Sequence, residues 1–270
     1  MDVTFPVLES LDEEKIRAVI ESAQHAENLF RIDVFDLISS TNTYLLECAK
    51  KKNVSGWFCF AEQQSRGRGR LGRTWYSPRG ANIYCSVLWC FDASGADLSA
   101  LSLAVAVMVA ETLSAYGVAV EVGLKWPNDI LVEGRKLGGI LLERLPECDG
   151  VIPVVIGIGI NLQLPEGSDT GWVDVAEMVK EPIARNRMAG LLVNELLRGL
   201  PVYQRRGLVP FIERWRGRDV LFGKQVTIQV SSDFSVVGVM TGINESGELL
   251  LKMESGEVKH FRCGDVSVKM

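Results

Sequence analysis

Hydrophobic and polar positions along the chain follow two patterns, and the change between them falls near residue 217. Before that point, apolar stretches of strand length lie between segments with the 3.6-residue spacing of amphipathic helices. After it, short alternating stretches are separated by turns rich in Gly, Ser, Asn and Asp, as in a β-meander. The pattern predicts an α+β domain followed by a small all-β domain. We expect an N-terminal helical extension over residues 1–30, a main α+β domain over 31–217 and a C-terminal domain over 218–270.

The same pattern predicts individual elements. Residues 10–29 are expected to form a helix that Ser10 caps, with Glu13 completing a capping box. A strand follows at 31–37, and Ser39 to Asn42 supply the N-cap of a helix that ends near Lys51. Further strands are predicted at 56–61 and 81–89, helices at 99–117, 190–199 and 209–215, and C-terminal strands at 225–230, 235–241, 249–252 and 258–261. The C-terminal strands would roll into an SH3-like β-barrel, and helix 99–117 is interpreted as a core helix rather than a membrane span.

Composition limits the classes of function. The 270 residues, 47% of them hydrophobic, suffice for one sizeable core and a small appended domain. A net charge of −5 argues against a general nucleic-acid binder. The 6 cysteines form no C-x-x-C pair and there are only 2 histidines, so no zinc-type ligand set can be assembled. The N-terminus is acidic where a signal peptide would be basic, and we expect a reduced, cytoplasmic protein that is not in the membrane.

Residues 64–82, QSRGRGRLGRTWYSPRGAN, carry the strongest chemical signal. Glycines let a backbone wrap closely around a ligand, and the arginines between them can bind phosphate or carboxylate oxygens. Predicted strands on both sides mount this loop on a sheet. An Arg-Gly-rich RNA-binding segment is an alternative that the loop alone leaves open. A dinucleotide fingerprint is disfavoured, because no helical pattern follows the spacing Gly67-x-Gly69-x-x-Gly72.

Two further segments add candidate chemistry. In residues 125–143, KWPNDILVEGRKLGGILLE, a proline ends one strand and turns the Asn128-Asp129 pair outward, while Lys136 stands beside a glycine pair. A charged β-hairpin without further function is the alternative reading. In residues 154–162, alternate glycines fall on one face of a strand, which would leave a bare wall for a flat ligand with Asn161 at its end. Here the alternative is a strand that a helix crosses closely.

These motifs, preceded by Ser40-Thr41-Asn42 and followed by Gly264-Asp265-Val266-Ser267-Val268, together resemble biotin protein ligases from about residue 31 to the C-terminus. The resemblance implies the class II aminoacyl-tRNA synthetase/biotin ligase-like fold, with a mixed β-sheet flanked by helices. It implies that biotin and ATP form biotinyl-5′-AMP, with Mg²⁺ present, and that biotin then passes to a lysine of a biotin carboxyl carrier protein. Lipoate-protein ligase shares this chemistry and remains the alternative.

The resemblance also implies what the protein does not bind. About thirty residues precede the matching region, too few for the winged helix-turn-helix that some members carry. We therefore expect a ligase without specific DNA binding. A homodimer is compatible with the family, and the protein ligands of the metal are not assigned.

The resemblance assigns roles to individual residues. The implied biotin contacts are Ser40, Thr41, Asn42, Gln64, Gly67, Arg68, Lys136, Gly139 and Gly157. The implied ATP or adenylate contacts are Arg68, Arg70, Trp75, Asn128, Lys136, Gly159 and Asn161. The implied catalytic residues are Arg68, Arg70, Lys125, Asp129 and Lys136, with Asp129 as candidate base for the acceptor amine. Leu71 replaces a basic residue of some members, and we expect it to pack within a loop that stays mobile until an anion binds.

Overall fold

The computed structural model describes residues 8–21, 30–52, 54–95, 97–165, 171–231, 233–263 and 267–269. Its α-helices are α1 (Glu13–Val19), α2 (Thr41–Ala49), α3 (Leu101–Tyr116), α4 (Arg185–Arg206) and α5 (Ile212–Arg216). The strands before residue 217 are β1 (Arg31–Ile38), β2 (Trp57–Gln64), β3 (Asn82–Asp92), β4 (Gly123–Lys125), β5 (Asp129–Val132), β6 (Arg135–Arg144) and β7 (Val151–Asn161). The later strands are β8 (Gln225–Gln229), β9 (Ser235–Ile243), β10 (Leu249–Lys252), β11 (Val258–Phe261) and β12 (Ser267–Lys269).

The first seven strands form one sheet in the order β1-β2-β3-β7-β6-β5-β4. Only the β1–β2 pair is parallel, so the sheet is mixed, as predicted. Helices α3 and α4 pack on one face and bury the main core, while α2 covers part of the other face through Leu45 and Ala49. The α2 face carries the glycines and polar side chains of β3, β6 and β7, and a cavity can therefore form there.

Helix α3 is apolar over most of its surface, as expected of a helix that the rest of the protein encloses almost completely. Together with the preceding turn, Leu98–Tyr116 is long and apolar enough to cross a membrane, but 72% of that window is buried by the rest of the protein. The helix ends at Gly117, which adopts a left-handed φ of 115°. The segment is a core helix, as predicted.

The N-terminal helix departs from the prediction of residues 10–29. It spans Glu13–Val19, and its N-cap is Asp12, not Ser10, because the Asp12 carboxylate accepts a hydrogen bond from the Lys15 N–H. Ile20 is already extended, with ψ at 132°. The side chain of Asn194 on α4 accepts from the Glu21 N–H at 3.0 Å and donates to the Val19 carbonyl at 3.2 Å. Tertiary hydrogen bonds therefore hold the end of this helix; residues 22–29 lie outside the described part.

Helix α4 extends beyond both ends of the predicted helix at 190–199, while α5 begins later than the predicted residue 209 and ends one residue past 215. The sequence pattern marked the apolar centre of α4 but not its charged ends. One of these, Arg185, is fully buried.

The C-terminal strands form an antiparallel sheet in the order β11-β10-β9-β8-β12. The four predicted strands are present and β12 adds a fifth. Among the described strands no pairing joins β11 to β12, so closure into a barrel stays a prediction. Residues 264–266 of the last motif lie outside the described part.

The two sheets are connected by direct contacts. The Trp126 indole N–H donates to the Gly247 carbonyl at 3.0 Å. Residues 218–220 run beside β4, where the Leu124 N–H donates to the Arg218 carbonyl at 2.7 Å and the Val220 N–H donates to the Leu124 carbonyl at 3.1 Å. The predicted boundary at 217 therefore falls where the chain borders the large sheet.

Candidate active site

A cavity of about 640 Å³ lies on the α2 face of the large sheet. Most of the predicted site residues line it together: Ser40, Thr41, Asn42, Gln64, Arg68, Arg70, Trp75, Lys125, Asn128, Asp129, Lys136, Gly139, Gly157 and Gly159. Gly67 and Asn161 do not line it. Residues from separate motifs thus converge on one space of a size that suits a small-molecule ligand.

One end of the cavity is polar and uncharged. It is formed by the start of α2, where Thr41 and Asn42 are buried, and by Gln64 at the end of β2. The Thr41 N–H donates to Gln64 Oε1 at 2.9 Å. Ser86 Oγ lies 2.7 Å from Thr41 Oγ1 and 2.5 Å from Asn42 Oδ1. Sequence reasoning missed Ser86, although a serine inside a buried apolar strand was a usable signal.

Residues 66–73, here called the anion loop, fold back on themselves at the rim of the cavity. The Gly69 N–H donates to the Arg73 carbonyl at 2.7 Å, and the Trp75 N–H donates to the Gly67 carbonyl at 2.9 Å. Leu71 has a left-handed φ of 55° and is 60% exposed. Leu71 therefore stands at the tip of the loop in this conformation, and its packing within the closed, ligand-bound loop stays a prediction.

Five basic residues line the cavity, namely Arg68, Arg70, Arg73, Lys125 and Lys136. Arg68 Nη2 lies 2.6 Å from Glu143 Oε2, and Arg70 Nη1 donates to Asn128 Oδ1 at 3.0 Å. Burial lowers the pKa of Lys125, and the neighbouring Lys136 and Arg73 lower it further, against the opposing attraction of Asp129. Such a concentration of cations in a protein of negative net charge is suited to an anionic ligand.

Asp129 and Lys136 form an ion pair across the β5–β6 hairpin, with Lys136 Nζ 2.6 Å from Asp129 Oδ1. The hairpin turns at Glu133-Gly134, with both residues at positive φ. Asn128 is fixed from two sides, because its Nδ2 donates to the Ile140 carbonyl at 2.9 Å while its Oδ1 accepts from Arg70. It follows the cis peptide bond between Trp126 and Pro127. Glu143 lies farther along the same β6 strand and was missed by sequence reasoning.

The glycine wall of β7 is occupied by side chains of the protein itself. A Cβ on Gly157 would collide with the Asn42 amide, and one on Gly159 would lie 2.6 Å from the Trp75 ring. The Trp75 indole stacks on Trp172, with ring centroids 5.1 Å apart and an interplanar angle of 24°. Lys136 Nζ lies 5.4 Å from the centroid of the Trp75 ring. The glycines make room for Asn42 and Trp75, so the expectation of a bare wall was wrong. No sequence signal pointed to Trp172.

Asn161 and Gly67 support the cavity from behind. Asn161 is fully buried, and its Nδ2 donates to the Val173 carbonyl at 3.1 Å and to the Lys136 carbonyl at 3.3 Å. A Cβ on Gly67 would lie 2.6 Å from the Trp75 carbonyl oxygen. Their ligand contacts, and the roles of the other site residues, stay predictions.

Comparison with known proteins places this geometry in a family. Residues 34–161 match the model of the biotin/lipoate A/B protein ligase family, and residues 221–269 match the biotin protein ligase C terminal domain. The chain is 36% identical over 242 residues to the bifunctional ligase/repressor BirA of Escherichia coli (strain K12), covering 88% of this chain and 74% of that protein. It is 32% identical to the biotin--[acetyl-CoA-carboxylase] ligase of Mycobacterium tuberculosis, covering 93% and 96%.

Solved structures agree with the sequence relatives. The biotin protein ligase from Aquifex aeolicus in complex with biotin and ATP aligns with a TM-score of 0.74 and 25% identity, over 88% of this chain and 98% of that one. With the family models, the relatives and the cavity in agreement, this chain belongs to the biotin protein ligase family.

Proposed function

We propose that this protein condenses biotin with ATP to biotinyl-5′-AMP and then transfers the biotinyl group to a lysine of a biotin carboxyl carrier protein. The observation that carries the proposal is a single cavity with an uncharged polar end and a cationic middle. The Aquifex aeolicus ligase named above holds biotin and ATP within the same fold. Biotin has a neutral ureido head and an anionic carboxylate, and the two halves of the cavity match these two ends.

At the polar end, Ser40, Thr41 and Gln64 would bind the ureido group. Gln64 Oε1 already accepts from Thr41, and its Nε2 donates to Ser77 Oγ at 3.2 Å, so its amide orientation is fixed by the protein. Asn42 would complete this end, with Gly157 giving it space. Fixed donors and acceptors discriminate against ligands that lack the matching polar groups, because the site would then keep unpaired polar atoms.

In the middle, Arg68, Arg70 and Lys136 would stabilise the reacting carboxylate and α-phosphate. The biotin carboxylate attacks the α-phosphorus, the bond from that phosphorus to the oxygen bridging to the β-phosphate breaks, and pyrophosphate leaves with that oxygen. The negative charge that develops on these oxygens would lie close to the three cations. A cation aimed at such charge contributes about 3 kcal/mol to the transition state. Asn128 and Trp75 would contact the adenine, with Asn161 and Gly159 behind the ribose.

In the transfer step, the acceptor amine must lose a proton as it attacks the mixed anhydride. Asp129 is the candidate base, and its ion pair with Lys136, the proposed partner of the reacting carboxyl group, supports this role. Lys125 would hold the neighbouring anionic groups. The AMP leaves with its phosphate oxygen, and an amide bond joins biotin to the carrier.

Mg²⁺ would be held at this site chiefly by the phosphate groups of the bound nucleotide. Among the described residues, no three His, Cys, Asp or Glu side chains gather as a metal-binding group. Mg²⁺ commonly binds one or two carboxylates together with substrate phosphates and water, and Asp129 is the carboxylate on the cavity wall. The ion would neutralise phosphate charge as pyrophosphate leaves.

The carrier belongs to a biotin-dependent carboxylase in this proposal, consistent with relatives named as ligases of acetyl-CoA carboxylase. We further propose a cytoplasmic location, no specific DNA binding and a possible homodimer. A gel-shift titration with random and biotin-operon-like duplexes tests DNA binding. Sequence-selective retardation that biotin and ATP strengthen would contradict it.

The decisive experiment is biotin-dependent exchange of labelled pyrophosphate into ATP by the purified protein. Lipoate replaces biotin in a parallel reaction, because the first family model covers lipoate ligases as well. The match of residues 221–269 to the biotin ligase C-terminal domain favours biotin. Exchange with lipoate alone would make the protein a lipoate ligase. Salt-dependent RNA affinity without any exchange would favour the RNA-binding alternative.

A further inference from the structure

Glu143 has no role in the chemistry proposed above, yet its carboxylate connects the two halves of the cavity. A single oxygen, Oε2, accepts from Asn42 Nδ2 at 2.8 Å and from Arg68 Nη2 at 2.6 Å. Asn42 belongs to the polar end and Arg68 to the anion loop. One carboxylate oxygen therefore fixes the distance between the group beside the biotin head and the cation beside the reacting centre.

The two partners of this contact differ in how firmly they are held. Glu143 lies inside β6, where it is paired with Val155 of the neighbouring β7, and its side chain is 23% exposed. Arg68 lies in the anion loop at the rim, and its side chain is 40% exposed. Within the described part of the chain, the Arg68 guanidinium forms no other hydrogen bond or ion pair. The rigid strand thus supplies the fixed point for the loop's guanidinium.

The contact leaves most of the guanidinium available. An arginine has five N–H donors, and the bond to Glu143 involves only Nη2, so the remaining donors can meet an anion. A carboxylate placed beside an anion site weakens the attraction for phosphate. What Glu143 contributes is therefore orientation of Arg68.

We propose that Glu143 is a positioning residue, which holds the Arg68 guanidinium over the cavity in register with Asn42 before the substrates react. The inference rests on the proposed function and deepens it, because it names the group that prepares the anion loop. An oriented cation need not reorganise when charge develops on the carboxylate and α-phosphate. Glu143 should therefore affect the rate of adenylation more than the binding of biotin.

The test compares Glu143→Ala, Arg68→Ala and the double variant with the parent. Glu143→Ala should lower the rate of adenylate formation about tenfold and speed release of the adenylate, while the KM for biotin changes by less than about threefold. The double variant should be no slower than Arg68→Ala alone, because the carboxylate acts through that guanidinium. Glu143→Gln, which keeps an acceptor oxygen, should fall between Glu143→Ala and the parent. Glu177→Ala is the matched control, since Glu177 pairs with Arg135 away from the cavity.

Two kinetic results would overturn the proposal. If the double variant loses the product of the two single effects, Glu143 acts independently of Arg68. If Glu143→Ala binds ATP more tightly and reacts as fast as the parent, Glu143 competes with the nucleotide and does not position the arginine.

A readout without activity separates this inference from the proposed function. Trypsin should cut the ligand-free Glu143→Ala and Glu143→Gln variants faster at the arginines of residues 66–73 than it cuts the parent or Glu177→Ala. Equal cleavage would overturn the positioning role of Glu143 even if the protein is a biotin ligase. If the parent shows no biotin-dependent exchange but the variants are still cleaved faster, the proposed function is refuted and the contact by which Glu143 holds Arg68 is supported.

Discussion

Two arginine–glutamate pairs of almost equal length lie in very different regions of this molecule. Arg185 and Glu62 meet at 2.6 Å beneath the N-terminal segment, with side chains 0% and 9% exposed. Arg68 and Glu143 also meet at 2.6 Å, at the rim of the cavity, with side chains 40% and 23% exposed. The same chemical pair is therefore enclosed in one place and open to solvent and ligand in the other.

The surroundings decide what each pair does. Arg185 also donates to the carbonyls of Glu9 and Asn82 at 3.0 Å, and Glu62 Oε1 accepts from the Leu11 N–H. This network joins the N-terminal segment, β2, β3 and α4, and separating its charges would leave one of them buried without a partner. Arg68 stays in contact with water, and the N–H donors that Glu143 does not use can bind a second anion. Burial thus makes the first pair structural, and exposure makes the second available for chemistry.

Breaking the buried pair should give the largest effect. Arg185→Met leaves the Glu62 carboxylate buried without its cation, and the free energy of unfolding should fall by about 3–5 kcal/mol. Urea unfolding of the ligand-free protein measures this. Glu177→Gln, which breaks the exposed pair with Arg135, should cost less than about 1 kcal/mol. A loss for Arg185→Met no larger than for this control would show that the buried network is not needed for stability.

Removing a cation from the cavity should affect the reaction and leave the fold intact. Lys136→Gln should lower the rate of biotin-dependent pyrophosphate exchange by at least about tenfold, because one cation no longer meets the developing charge. Arg135→Gln changes the neighbouring residue, which points to Glu177 outside the cavity, and should keep the parent's rate. Unchanged exchange in Lys136→Gln would remove that lysine from the proposed site.

The exposed arginine should control retention of the intermediate. Arg68→Ala should release biotinyl-adenylate several-fold faster than the parent, while biotin alone binds nearly as before, because the proposed contact of the guanidinium is with the phosphate and not with the ureido group. Chromatography of released adenylate against bound adenylate measures the ratio. Arg66→Ala, at an exposed position that does not line the cavity, is the control. If Arg68→Ala holds the intermediate as firmly as this control, Arg68 does not clamp the phosphate.

Asp219 is a third carboxylate, for which the described residues provide no arginine partner, and its substitution should have the smallest effect. Burial raises the pKa of Asp219 from 3.8 to about 6, and its Oδ2 is buried without a hydrogen-bond partner. Between about pH 4 and 6 the unfolded chain has lost this proton and the folded chain keeps it, so the free energy of unfolding falls as pH rises through that window. Asp219→Asn should stabilise the protein by about 1 kcal/mol at pH 8 and by little at pH 4. Urea midpoints across this range test it, and equal gains at both pH values would contradict it.

The sequence predicted those parts of the fold that depend on local patterning. Alternation and apolar runs located the strands of the mixed sheet and the enclosed helix α3, because these residues are buried on one or all sides. The N-terminal helix was predicted too long, since Asn194, which is distant in sequence, satisfies the backbone at its end. A pattern read along the chain does not contain that contact.

For the site, motifs located most of the cavity lining, but not the partners of its residues. The glycines of β7 were correctly singled out, yet the space they create is filled by Asn42 and Trp75. Glu143 and Trp172 went unnoticed because a glutamate on a strand and a tryptophan in a loop are ordinary residues until the fold brings them to Arg68 and Trp75. Side-chain pairing across the sheet was the missing information.

The run of residues 218–220 beside β4 has a practical consequence for dissecting the protein. A truncation after residue 217 follows the predicted domain boundary, but it would remove both backbone partners of Leu124 and expose the edge of the sheet beside Lys125. It would also remove Val220, which fills the space above Gly123. A catalytic fragment that ends after residue 220 keeps this edge covered. Any attempt to express the large sheet alone should therefore use that residue as the end of the fragment.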